Sequence, residues 1–85
     1  MSLFSKKTKF ENLSPAQREE FILNVAELYL DSFDRWGRFP PGPESIASIK
    51  LGARNYGYKV SLVQCGEIHE AALIGAREMA RSRRT

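Results

Sequence analysis

Ser14–Trp36, with the sequence SPAQREEFILNVAELYLDSFDRW, decides the fold of this chain. Ser14, Pro15 and Gln17 form a typical helix start: a serine cap, a proline at the first helical position and a glutamine that reaches back to the cap. At 100° per residue, the apolar side chains that follow cover an arc of roughly 220°. A helix on one side of a bundle needs a stripe only about 100° wide, so this helix is predicted to meet neighbours on two sides. The residues of the arc are Phe21, Ile22, Leu23, Val25, Ala26, Leu28, Tyr29, Leu30, Phe33 and Trp36.

Two further helices are predicted after this one. The segment 38–43, RFPPGP, cannot be helical because of its three prolines and its glycine, and a helix over 44–56 follows it. A third helix is predicted over 62–82, since its apolar residues align on one face. With the first helix at 15–35, the sequence predicts an all-α fold, a small three-helix bundle. The expected core is Phe21, Val25, Leu28, Phe33, Ile46, Ile49, Ala53, Ile68, Ala72 and Met79.

The start of the third helix has two interpretations. Ser61 and Gln64 repeat the Ser-x-x-Gln cap of the first helix, which favours a helix. Tyr58, Val60 and Leu62 instead alternate with polar residues, as in a strand. A lone strand is not stable without a partner. The alternative fold is therefore α+β, with one short strand near 58–65 that pairs across a dimer.

Length and composition indicate one domain. The chain has 85 residues, and we expect a flexible basic arm at 1–13 and a single helical domain at 14–85. The one cysteine, Cys65, excludes an intramolecular disulfide and suits a reducing compartment. No apolar run approaches the roughly 18 residues of a membrane span. A cytoplasmic protein that does not bind membranes is expected.

Charge is distributed unevenly along the chain. Residues 10–34 hold six acidic side chains and one arginine, whereas residues 35–85 hold nine basic and four acidic ones. A molecule with opposed acidic and basic regions is able to pair with a copy of itself or with a charged partner.

Chemical motifs are weak throughout the sequence. Cys65 and His69 are four residues apart and share one helix face, but a structural zinc needs four ligands and the chain has no second Cys or His. The lone histidine has no nucleophile beside it, and glycine-rich phosphate-binding loops are absent. We therefore expect no enzyme activity, no cofactor, no metal site and no small-molecule substrate.

A protein-binding surface is the function that the sequence favours. Leu23 and Leu30 are seven residues apart with Ala26 between them, which is the spacing of a paired-helix seam. The predicted interface on helix 1 consists of these three residues and Trp36. The chain is thus expected to be an interaction or regulatory module whose partner is a second copy or another protein. In the homodimer, Leu23 and Leu30 are buried near their own counterparts.

Nucleic-acid binding is the alternative function. A basic and aromatic cluster lies at 50–59, and the C-terminal tail is rich in arginine. Cations contact phosphates and aromatic rings stack on bases, although Glu67, Glu70 and Glu78 on helix 3 would repel phosphates. The candidate contacts are Lys50, Arg54, Tyr58, Lys59, Arg81, Arg83 and Arg84.

Overall fold

The computed structural model describes residues 8–83 and has three long helices. These are α1 (Pro15–Trp36), α2 (Gly42–Tyr56) and α3 (Leu62–Arg83). The predicted three-helix bundle is confirmed. The largest difference in the predicted bounds is at α2, which begins two residues earlier than expected.

Local capping fixes the ends of α1 and the start of α3. Ser14 Oγ accepts a hydrogen bond from the Gln17 amide at 3.2 Å, and the Ser14 amide donates to Gln17 Oε1 at 3.0 Å. Ser61 and Gln64 form the same reciprocal pair at 2.9 and 3.1 Å. Gly37 ends α1 with a φ of 75°, a left-handed conformation that favours glycine. Both predicted capping boxes are therefore present.

A very small parallel sheet joins the N-terminal segment to the α2–α3 connection. β1 (Thr8–Lys9) pairs with β2 (Tyr58–Lys59), with Thr8 opposite Tyr58. The strand considered near 58–65 thus exists, but it is two residues long. It pairs within the chain and not across a dimer.

The segment before α1 is part of the folded body. After β1, a 3-10 turn covers Phe10–Asn12, and the side chains of Phe10 and Leu13 are buried against the bundle. The Phe10 and Phe21 rings meet edge to face with centroids 6.0 Å apart. The expectation of a flexible arm over 1–13 is thus wrong for residues 8–13, because apolar burial holds them. Residues 1–7 of that arm lie outside the described residues.

Helix α3 is the central element of the bundle. α3 packs lengthwise along α1, and the N-terminal half of α3 also packs against α2. α1 and α3 run parallel: Gln64 bonds to Glu11 before α1, whereas Arg83 bonds to Asp34 near the end of α1. The backbones of α1 and α2 lie farther from each other than either lies from α3. The two helices therefore flank α3 and leave a groove between them.

The buried residues form one continuous core. The prediction that Leu28 belongs to the core is wrong, since its side chain is 68% exposed. Phe33, Ile46 and Met79 are only partly buried. The buried apolar residues are Phe10, Leu13, Phe21, Val25, Ala26, Tyr29, Ile49, Ala53, Val60, Cys65, Ile68, Ala72 and Ala76.

None of the helices in residues 8–83 combines the length and the apolar character that crossing a bilayer requires.

Candidate functional site

The space between α1 and α2 is an apolar groove of about 530 Å³, which we call the α1–α2 groove. Buried side chains of Phe21, Val25, Tyr29 and Ile49 form its floor. The buried Ser45 also lines the groove. The rim residues are Asn24, Leu28, Ser32, Trp36, Arg38, Phe39, Pro40, Pro41, Glu44, Ser48, Gly52 and Tyr56. A concave apolar site with few polar groups is the usual form of a binding site in a small domain.

Aromatic side chains lie near both ends of the groove. At one end, Asn24 Nδ2 donates a 2.6 Å hydrogen bond to the Tyr56 hydroxyl, and the Phe21 ring meets the Tyr56 ring edge to face. At the other end, Phe33 and Phe39 stack with centroids 4.8 Å apart. These contacts connect α1 to α2 and to the proline-rich turn.

The two walls of the groove differ in size. The α1 wall carries the large side chains of Leu28 and Trp36, each 68% exposed. The α2 wall carries Ser45, Ser48 and Gly52, spaced three and four residues apart on one face. A Cβ at Gly52 would have no neighbour within 4 Å. The α2 wall therefore leaves room for bulky side chains from outside.

Polar groups lie beneath the floor of the groove. The Tyr29 hydroxyl and His69 Nδ1 are 2.7 Å apart in a buried hydrogen bond between α1 and α3. Burial raises the pKa of the Tyr29 hydroxyl, and the adjacent Ser45 hydroxyl offsets part of that rise. Ser45 Oγ is itself buried, and its geometry falls short of a hydrogen bond with any described residue.

The outer edge of the α1 wall is acidic. Glu20 and Glu27 lie one turn before and one turn after Asn24, so they flank the rim of the groove. Within residues 8–83, neither carboxylate forms an ion pair. Asp31 and Asp34, by contrast, bond to Arg35 at 3.1 Å and to Arg83 at 2.8 Å.

The structure separates the residues of the predicted helix-1 interface. Ala26 is wrong as an interface residue, because it is only 2% exposed and faces Gly75 of α3. Trp36 is exposed at the α1–α2 groove. Leu23 is half-exposed and Leu30 partly buried, and both lie roughly 140–160° around α1 from Leu28. The candidate surface therefore becomes two surfaces on opposite flanks of α1.

The predicted nucleic-acid contacts are also divided. Lys50, Arg54, Tyr58 and Lys59 come together around one cleft of about 460 Å³, which we call the basic cleft. Arg81 and Arg83 lie at the far end of α3, where Arg83 is paired with Asp34. The remaining candidate, Arg84, lies outside the described residues.

Cys65 and His69 point into the core. Cys65 is fully buried and His69 is 9% exposed. Burial raises the pKa of the Cys65 thiol, and the charge of Lys50 offsets part of that rise. Among residues 8–83, no three His, Cys, Asp or Glu side chains are grouped closely enough to hold a metal ion.

Comparison with known proteins gives no match to this chain among family models, curated proteins or solved structures.

The sequence patterns do not predict a binding site at the α1–α2 groove. Periodicity assigns Leu28 to the core because that residue lies within the apolar arc of α1. The small residues Ser45, Ser48 and Gly52 were the available signal, since side chains of that size cannot cover a leucine on the facing helix.

Proposed function

We propose that this chain is a non-enzymatic protein-interaction module that docks its partner in the α1–α2 groove. The observation that carries the proposal is the exposure of Leu28, Trp36 and Tyr56 around one concave apolar site. Burying a leucine side chain is favourable by about 1.5–3 kcal/mol, and aromatic side chains dominate the binding energy of many interfaces. Apolar side chains gathered in this way typically mark interaction sites.

The proposed occupant is an amphipathic helix of another protein with a basic flank. α2 has 15 residues and is roughly 22 Å long, so a helix of similar size is able to lie along it. Such a helix would place apolar side chains at i, i+3, i+4 and i+7 into the space opposite Ser45, Ser48 and Gly52. Its basic flank would face Glu20 and Glu27, which have no ion pair among the described residues.

The acidic residues that flank the rim, Glu20 and Glu27, disfavour a second copy of α1 as the occupant. Two copies paired through this groove would bring Glu20 and Glu27 of each near the same acidic edge of the other. Like charges in close contact oppose association. A basic helix meets no such repulsion.

Peptide selection tests this proposal and does not require the natural partner to be identified. A random library of peptides about 15 residues long is selected on the wild-type chain and counter-selected on Gly52→Leu, which fills the groove. Leucine also has a higher helix propensity than glycine, and circular dichroism checks that the variant folds. We expect enriched peptides with helical apolar spacing and Lys or Arg beside it. Acidic peptides, or peptides that bind Gly52→Leu equally well, would contradict the proposal.

A homodimer through helix 1 is the second candidate, carried by the opposite flank of α1. Leu23 is 50% exposed there, and Leu30 lies one heptad away. Sedimentation of the wild type and of Leu23→Glu/Leu30→Glu tests it. A dimer that the double substitution dissociates supports the candidate, whereas a monomer at high micromolar concentration rules it out.

The reducing cytoplasm is the compartment that we propose, since the single cysteine is unpaired.

A further inference from the structure

The basic cleft lies on the face of α2 that points away from the α1–α2 groove. Lys50 and Arg54 are four residues apart and therefore neighbours on the surface of α2, while Lys59 enters from β2. At 100° per residue, Lys50 is about 160° around the helix from Ser48 in the groove wall. The two sites share one helix, but no lining residue of the described chain is common to both.

The cations of the basic cleft are available to a ligand. Within the part of the chain that the structure describes, none of Lys50, Arg54 and Lys59 forms an ion pair. Among residues 8–83, no acidic side chain lines the cleft. Three positive charges around one concavity produce a local potential that attracts anions.

Apolar surface lies among these cations. Leu51 is 60% exposed and lines the cleft. Tyr58 also lines the cleft, but its half-buried ring packs against Phe21 and Tyr56. A site for a small inorganic anion would need only donors, whereas unstacked bases need apolar or aromatic contact surfaces. A stacked duplex presents few base faces, so apolar surface of this kind favours a single strand.

We infer that the basic cleft binds single-stranded nucleic acid, with Lys50, Arg54 and Lys59 on the phosphates and with Leu51 against the bases. This inference goes beyond the proposed protein-docking role, because it concerns a different ligand on the opposite face of α2. Either function is able to fail while the other holds.

Fluorescence anisotropy with a labelled single strand of about 20 nucleotides, as DNA and as RNA, tests the inference over a range of salt concentrations. Lys50→Gln/Arg54→Gln removes two cations of the cleft. The matched control, Arg77→Gln/Arg81→Gln, removes the same charge from the exposed side of α3. Circular dichroism confirms that both variants fold, and Gly52→Leu serves as a control for the groove.

We expect the cleft variant to weaken binding at least tenfold. Its slope of log K against log salt should fall in magnitude by about 1.4, which is about 0.7 for each lost phosphate contact on a single strand. The Arg77/Arg81 control and Gly52→Leu should change the affinity by less than about threefold. The same sequence as a duplex should bind more weakly than the single strand.

Four results would overturn the inference. One is no binding by the wild type at roughly 100 µM protein and low salt, the weak end of ordinary non-specific affinity. Another is an equal loss in the cleft variant and the Arg77/Arg81 control, which would show an effect of net charge alone. The third is tighter binding to the duplex. The fourth is binding to phosphatidylserine vesicles in preference to the oligonucleotide, which would assign the cleft to a membrane surface.

Discussion

The Tyr29 hydroxyl lies 2.7 Å from His69 Nδ1 and joins α1 to α3 directly beneath the floor of the α1–α2 groove. The two residues are 40 positions apart in the sequence, and their rings also meet edge to face with centroids 5.5 Å apart. This contact holds the α1 wall against α3 together with the Arg83–Asp34 ion pair. The shape of the groove therefore depends on a buried polar pair as well as on apolar packing.

Substituting Tyr29→Phe should lower the free energy of unfolding by about 1–3 kcal/mol, because it leaves a buried imidazole nitrogen without its partner. The matched control is Tyr56→Phe, which removes the exposed hydrogen bond to Asn24 and should cost less than about 1 kcal/mol. Urea denaturation monitored by circular dichroism measures both. Equal stability of the two variants would contradict the role given to the buried pair.

Stability should fall at alkaline pH. Burial raises the pKa of the Cys65 thiol and of the Tyr29 hydroxyl in the folded chain, so the unfolded chain loses these protons first. The free energy of unfolding should therefore decrease as the pH rises above about 9 and level off only above the folded-state pKa values. In Cys65→Ala, the decrease in the free energy of unfolding should begin at a higher pH than in the wild type. Urea midpoints from pH 7 upward test this, and an identical profile for the variant would refute the part assigned to Cys65.

Glycine substitutions should have opposite effects at different positions. A Cβ at Gly66 has no neighbour within 4 Å, and one at Gly75 would make an ordinary 3.6 Å contact with Ala26. Gly66→Ala and Gly75→Ala should each stabilise α3 by about 0.5–1 kcal/mol. Gly57→Ala should instead destabilise by about 1–2 kcal/mol, since Gly57 has a φ of 79°. The melting temperatures of these variants test the prediction. A melting temperature of Gly66→Ala below that of the wild type would contradict the open space at the Gly66 Cβ position.

The helices could be predicted from the sequence because their signals are local. Ser14 with Gln17, and Ser61 with Gln64, place each helix start within four residues of chain. The β1–β2 pair could not be predicted, since each strand has two residues and about 50 residues separate Thr8 from Tyr58. No periodic pattern forms in so short a strand.

The site was harder to predict than the fold. Periodicity shows that Leu28 and Ala26 belong to the apolar arc of α1, but it does not show which part of the arc a neighbour covers. Ala26 is covered by α3, whereas Leu28 faces the small residues of α2 and stays exposed. The cluster of Lys50, Arg54 and Lys59 was predictable because these residues are close in sequence. Arg81 and Arg83 lie elsewhere because the length of α3 separates them from the cleft.

Trp36 provides the most direct measurement of the central claim, since it is the only tryptophan and lies exposed at the rim of the α1–α2 groove. Its fluorescence is recorded while the chain is titrated with a designed amphipathic helix of about 15 residues that has a leucine stripe and lysine flanks. We predict a saturable shift of the emission to shorter wavelength, much weaker with glutamate flanks and absent in Gly52→Leu. No shift with the lysine-flanked helix, or an equal shift in Gly52→Leu, would contradict the α1–α2 groove as the docking site.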